Sequence, residues 1–122
     1  MATILVCDDE PALRELMRAA IGGTHRFVEA EDAEAALEAL RYAPPDLVLL
    51  DVMLPGRSGL DLLRDIRQDE ALAHVPVAIV SAWDSESDRR AAVDAGADAF
   101  VSKPFLPDEL EAVVTRLLAG RP

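Results

Sequence analysis

Four consecutive apolar residues, Leu47-Val48-Leu49-Leu50, run straight into an aspartate at position 51. A strand with one wet face alternates apolar and polar residues. An unbroken apolar run belongs instead to a strand covered on both faces, as in the middle of a parallel sheet. The strand is expected over Asp46 to Asp51, and the signature recurs along the chain. Thr3 to Cys7 is short, apolar and partly β-branched; Pro76 to Ser81 and Ala97 to Ser102 repeat the pattern. His25 to Ala30, centred on Phe27 and Val28, is a weaker copy. Between these runs the apolar spacing turns helical. Leu13, Leu16, Met17 and Ala20 make one face, and Ala33, Ala36, Leu37 and Leu40 the next. Leu60, Leu63 and Ile66 make a third, and Leu110, Val113, Val114 and Leu117 the last. A fourth helix, over 84–95, has only a thin face of small residues. Pro11 and Pro107 suit first helical turns, and acidic Asp8-Asp9-Glu10 suits the positive end of a helix dipole. Asp32 is a candidate cap, and Ser58 with Asp61 has capping-box spacing, with Asp in place of Glu or Gln. Gly22-Gly23, Pro44-Pro45, Gly96 and Lys103-Pro104 punctuate the pattern. Five strands alternating with five helices through short connections predict an α/β three-layer sandwich around a five-stranded parallel sheet.

The 122 residues, 51% of them apolar, suffice for one domain with one real core. The formal charge of -11 repels phosphate backbones and acidic lipid alike, so neither nucleic acid nor a membrane surface is an expected partner. The single cysteine, Cys7, excludes an internal disulfide framework and sits in an apolar run, where it reads as a small buried hydrophobe. The opening MATILVCDDE has neither a basic region nor a long apolar run and is not expected to be a signal peptide. No window reaches the roughly 18 apolar residues of a membrane span. A cytoplasmic location is the expectation.

In a parallel sheet all strand carboxyl ends lie on one edge, and binding sites form there. The first strand ends in Asp8 and Asp9, the third in Asp51, the fourth in Ser81-Ala82, the fifth in Ser102-Lys103. Carboxylates gathered this closely repel one another and call for a cation. All-oxygen ligands suit Mg²⁺ or Mn²⁺, and one cysteine with two scattered histidines makes no zinc site. Lys103 would oppose a bound dication yet welcome a phosphoryl group. Metal, lysine, hydroxyl and an attacking carboxylate together fit phosphoryl transfer.

At these residues the chain resembles the receiver domain of two-component response regulators. The likeness runs across essentially the whole sequence. It rests on Asp8-Asp9, Asp51, Pro55-Gly56 with Gly59, Ser81-Ala82 and Lys103-Pro104, five motifs in order. The resemblance implies a doubly wound, flavodoxin-like (βα)5 fold, with the receiver over 1–119 and a tail or linker start over 120–122. It implies that Asp51 accepts a phosphoryl group from a sensor histidine kinase or a histidine phosphotransfer protein, the domain itself supporting Mg²⁺-dependent phosphorylation and dephosphorylation. Asp8 and Asp9 then look like the acidic pair that holds the metal, joined by Asp51 and the backbone carbonyl of Met53. Ser81, with the backbone N–H of Ala82, and Lys103 look like the partners of the phosphoryl oxygens. Ser81 and Phe100 look like the switch pair: the hydroxyl moves toward the phosphoryl group and the aromatic turns into the vacated space. A homodimer through the fourth helix, fifth strand and fifth helix is a further implied partner.

Met53 and Trp83 stand two residues after Asp51 and Ser81, at positions that vary in the family and tune the lifetime of the acyl phosphate. Their apolar side chains are expected to restrict the attacking water and slow self-dephosphorylation. The sparsely anchored 84–95 helix is expected to be the mobile element, with Arg89 and Arg90 as charges for inter-subunit pairing. His25 and His74 suggest no chemistry. An aspartate-nucleophile phosphatase-like domain would need a second acid at position 53, which is Met. A degenerate receiver acting as a fixed binding module would lack Asp51, Lys103 or the acidic pair, and all are present. A dinucleotide fold is disfavoured because the first loop, DDEPA, has no glycine.

Overall fold

The computed structural model describes residues 1–120; Arg121 and Pro122, part of the expected tail, lie outside them. Strands and helices alternate throughout: β1 Thr3–Cys7, α1 Pro11–Ile21, β2 Arg26–Ala30, α2 Ala33–Tyr42, β3 Leu47–Leu50. Then follow α3 Gly59–Gln68, β4 Val77–Ser81, α4 Glu86–Ala95, β5 Ala99–Ser102 and α5 Pro107–Ala119. All pairings are parallel and the sheet order is β2-β1-β3-β4-β5. The chain therefore winds outward from β1 in both directions, the doubly wound (βα)5 sandwich that the sequence predicts.

The uninterrupted apolar run of β3 is explained by its two faces. Leu47 and Leu49 pack with Ile4, Val6, Ala78 and Val80 against Met17 of α1 and Leu110 and Val114 of α5. Val48 and Leu50 pack with Leu5, Cys7, Val77 and Ile79 against α2, α3 and Ala92 of α4. All four β3 residues are fully buried. At roughly 1.5–3 kcal/mol for each large side chain removed from water, these two layers dominate the stabilisation.

Element ends are set by local chemistry, and here the structure corrects details. Ser58 caps α3, but its Oγ accepts from the N–H of Leu60 at 3.1 Å, and Asp61 turns to Arg64 at 3.0 Å. The reciprocal capping box expected there does not form. It forms at α4, where Ser85 Oγ accepts from Asp88 N–H and Asp88 accepts from Ser85 N–H, both at 3.1 Å. That pair starts α4 at Glu86, two residues later than expected. The expected β3, β4 and β5 ranges each shorten by one or two residues, because Asp46, Asp51, Pro76, Ala97 and Asp98 serve as connections. Glu10 precedes α1 without a side-chain capping bond, so the acids of this loop do not serve the helix as caps. His25 is structural: its Nδ1 accepts the Ala2 N–H at 3.2 Å.

Candidate functional site

Backbone bonds that prolong the sheet aim the site. Asp8 N–H donates to Ala30 O at 3.0 Å, Asp51 N–H to Cys7 O at 3.0 Å, and Lys103 N–H to Ser81 O at 3.0 Å. Each residue just past its strand is thus held in register at the carboxyl edge. Lys103 is followed by a cis peptide to Pro104.

Lys103 Nζ lies 2.6 Å from Asp8 Oδ2 and 2.9 Å from Asp51 Oδ2. Asp8 is fully buried, Asp51 is 5% exposed and the Lys103 side chain 11%. Buried carboxylates need a partner, and one ammonium serves both. The remaining oxygens are bound locally. Asp8 Oδ1 accepts from Glu10 N–H at 3.0 Å, and Asp51 Oδ1 from Met53 N–H at 3.1 Å. Asp8, Asp9 and Glu10 each bring a carboxylate oxygen, and these oxygens lie within 4.8 Å of one another. An anionic all-oxygen set fits a hard divalent cation. Glu10 belongs to this cluster although the sequence marks it only as part of a helix start; Asp51 is joined to the cluster by Lys103.

Ser81 is fully buried, and its Oγ accepts the Trp83 N–H at 3.1 Å, leaving the hydroxyl proton for another partner. Ala82 is exposed, and Met53 and Trp83 stand 44% and 53% exposed. Phe100 is half-buried against the α2–α3–α4 core. The Arg89 guanidinium lies 4.6 Å from its ring centroid, while Arg89 Nη2 donates to Ser102 Oγ at 2.5 Å. Arg89 was legible only as a surface charge; its aromatic contact is a tertiary one with no local signal.

The loop after Asp51 has a glycine for a steric reason. Gly59 N–H donates to Val52 O at 2.8 Å. A Cβ on Gly59 would run into the Asp51 carbonyl oxygen and stand 2.9 Å from Val52 Cα. Only a residue without a side chain lets α3 begin this close to Asp51.

Comparisons with known proteins define the class. A family model described as the response regulator receiver domain matches residues 4–115. The KDP operon transcriptional regulatory protein KdpE of Escherichia coli K12 is 43% identical over 113 residues, covering 92% of this chain and 49% of that protein. The phosphate regulon transcriptional regulatory protein PhoB of the same organism is 36% identical over 116 residues, covering 94% and 51%. The solved receiver domain of Francisella response regulator 1452 superposes with a TM-score of 0.90 at 28% identity, covering 98% of each chain. The chain belongs to the response regulator receiver domain family. It is a phosphorylation-activated receiver of two-component signal transduction, and it spans about half the length of the curated relatives it matches. Among the described residues no helix is long and apolar enough to cross a membrane.

Proposed function

We propose that Asp51 is the phosphoacceptor, with Lys103 and Ser81 as its phosphoryl-binding partners. The observation that carries this reading is the Lys103 ammonium, shared between Asp51 and Asp8 at 2.9 and 2.6 Å. It brings a nucleophile, the carboxylate cluster and a phosphoryl counter-charge into one site. A carboxylate oxygen of Asp51 attacks phosphorus, a P–O bond forms, and the P–N bond to the donor histidine breaks. The imidazole nitrogen freed from phosphorus takes up a proton from solvent as it leaves. Lys103 then follows the charge onto the phosphoryl oxygens, Ser81 donates its hydroxyl proton to one of them, and the Ala82 N–H donates to another. Mg²⁺, with Mn²⁺ as a substitute, would be held by Asp8 and Asp9 with Asp51 and the Met53 carbonyl, and would offset phosphoryl charge. Glu10 stands ready as a further oxygen donor. Ser81 leaving Trp83 for the phosphoryl group gives Phe100 a reason to turn, a two-state bias on an existing fold.

The donor is a sensor histidine kinase or a histidine phosphotransfer protein, as the relatives' regulatory role suggests, and the setting is the cytoplasm. The switched output is a protein contact, and a homodimer through α4, β5 and α5 is one form it can take. Met53 and Trp83 form an apolar rim that hinders attacking water. The test is intact mass after incubation with acetyl phosphate and Mg²⁺. A gain of about 80 Da is expected, lost in Asp51→Asn and in EDTA. An adduct that survives Asp51→Asn would refute the assignment, and decay of the wild-type adduct within seconds would refute the protective rim.

A further inference from the structure

Asp8 is engaged at three oxygens, and they differ in kind. Its carboxylate takes the Glu10 N–H at 3.0 Å and the Lys103 ammonium at 2.6 Å. Its backbone carbonyl takes Arg14 Nη1 at 2.6 Å. A cation arriving at the cluster draws on the carboxylate oxygens and competes with the first two bonds. The bond from Arg14 reaches the backbone oxygen and does not compete. We propose that Arg14 is a positioning residue: it keeps the β1–α1 loop aimed while a divalent cation takes the carboxylates. The inference rests on the reading of the acidic cluster as the metal site.

The Asp8 N–H bond to Ala30 O fixes the loop where it leaves the sheet, but the Glu10 N–H bond beyond it ends on the carboxylate that a cation would draw on. The loop enters α1 through Pro11, without a side-chain cap from Glu10. Arg14, by contrast, is anchored. Its side chain is 14% exposed, and its Nε donates to Glu29 Oε1 on β2 at 2.8 Å. The other Glu29 oxygen is paired with Arg18 Nη1 at 3.3 Å. The guanidinium is thus fixed from the neighbouring strand and passes that fixity to the Asp8 carbonyl. Outer partners that orient ligands in this way typically change metal affinity by about 10- to 100-fold.

Sign separates this role from the obvious alternative. A guanidinium beside a cation site repels the cation, so charge alone would make its removal tighten binding. Positioning makes its removal weaken binding. Calorimetric titration of the full chain with MgCl₂ decides, using wild type, Arg14→Met, Arg14→Lys and Glu29→Gln, each checked for a cooperative melt. For Arg14→Met the expected Kd rises roughly tenfold. Arg14→Lys, whose ammonium can still donate to the carbonyl, stays within about threefold of wild type, and Glu29→Gln falls between them. A folded Arg14→Met that binds Mg²⁺ as tightly as wild type, or more tightly, overturns the proposal. So does an Arg14→Lys as weak as Arg14→Met. If Arg14→Met does not fold, an unchanged Kd in Glu29→Gln overturns it. Wild type that binds no Mg²⁺ removes the metal-site reading itself, and the positioning role with it.

Discussion

Lys103 stands between two buried carboxylates, and its charge state follows from them. Burial is the largest single influence and favours loss of the proton. The hydrogen bonds and charges of Asp8 and Asp51 together outweigh it, so the net displacement of the pKa is upward. The consequence for stability has a definite sign. An ammonium whose pKa rises on folding contributes fully below its unfolded value, about 10.4. The contribution is lost only as pH climbs through the higher folded value, so the pair is intact at neutral pH. Replacing Lys103 with Met leaves Asp8 and Asp51 buried without their counter-ion, which typically costs about 3–5 kcal/mol. In EDTA the urea midpoint of Lys103→Met is expected to fall accordingly. Saturating Mg²⁺ is expected to restore more stability to the variant than it adds to wild type, because a dication replaces the missing charge. Equal Mg²⁺ stabilisation of the two proteins would mean that Lys103 does not stand in for the cation.

Among the elements α4 is the least anchored helix. Only Ala92 and Ala95 of its ten residues are buried, and Val93 is 65% exposed. Two small side chains bury far less apolar area than Leu62, Leu63 and Ile66 do for α3. What holds α4 is concentrated at its ends and on one contact. Its start has the Ser85–Asp88 capping box, worth about 1 kcal/mol, and its end has Gly96 at φ 109°. Arg89 over Phe100 adds about 0.5–1 kcal/mol for a partly exposed cation–π pair. Local opening is therefore cheapest here. Amide exchange in the unphosphorylated protein is expected to be faster across 88–95 than across the central turns of α3 or α5. Protection of α4 equal to that of α3 would contradict the account. Continuous versus periodic hydrophobicity made most elements visible in the sequence, because burial on one face or two writes itself directly into residue order; β2 and α4, which bury least, wrote it most faintly. The boundaries were less legible. Ser58 and Ser85 both precede a plausible box, and the choice between them depends on whether the acid three residues on has a better partner. Asp61 finds Arg64; Asp88 finds none closer than Ser85.

Across the whole molecule, the carboxyl edge was legible because strand ends need only the order of elements to be placed together. Asp8, Asp51, Ser81 and Lys103 follow from that rule alone. Arg14 and Glu10 were not, since helix-start acids and a helical arginine look alike whether or not they face a site. The proposed dimer is a property at this scale too. Val93 on α4 and Leu106 ahead of α5 are exposed on the elements concerned, at 65% and 73%. Sedimentation velocity is expected to show a monomer that shifts toward dimer with Mg²⁺ and beryllofluoride; a monomer under both conditions would leave the switched output to a different partner. Cys7 bears on how such a measurement is handled at the bench. Burial, with Asp8, Asp32 and Asp51 nearby, pushes its thiol up to about 12, and none of its surface is open. Folded chains are therefore expected to stay unlinked in air without reductant. A covalent dimer on a non-reducing gel would count misfolded or denatured chains in the preparation, and would serve as its shelf-life gauge.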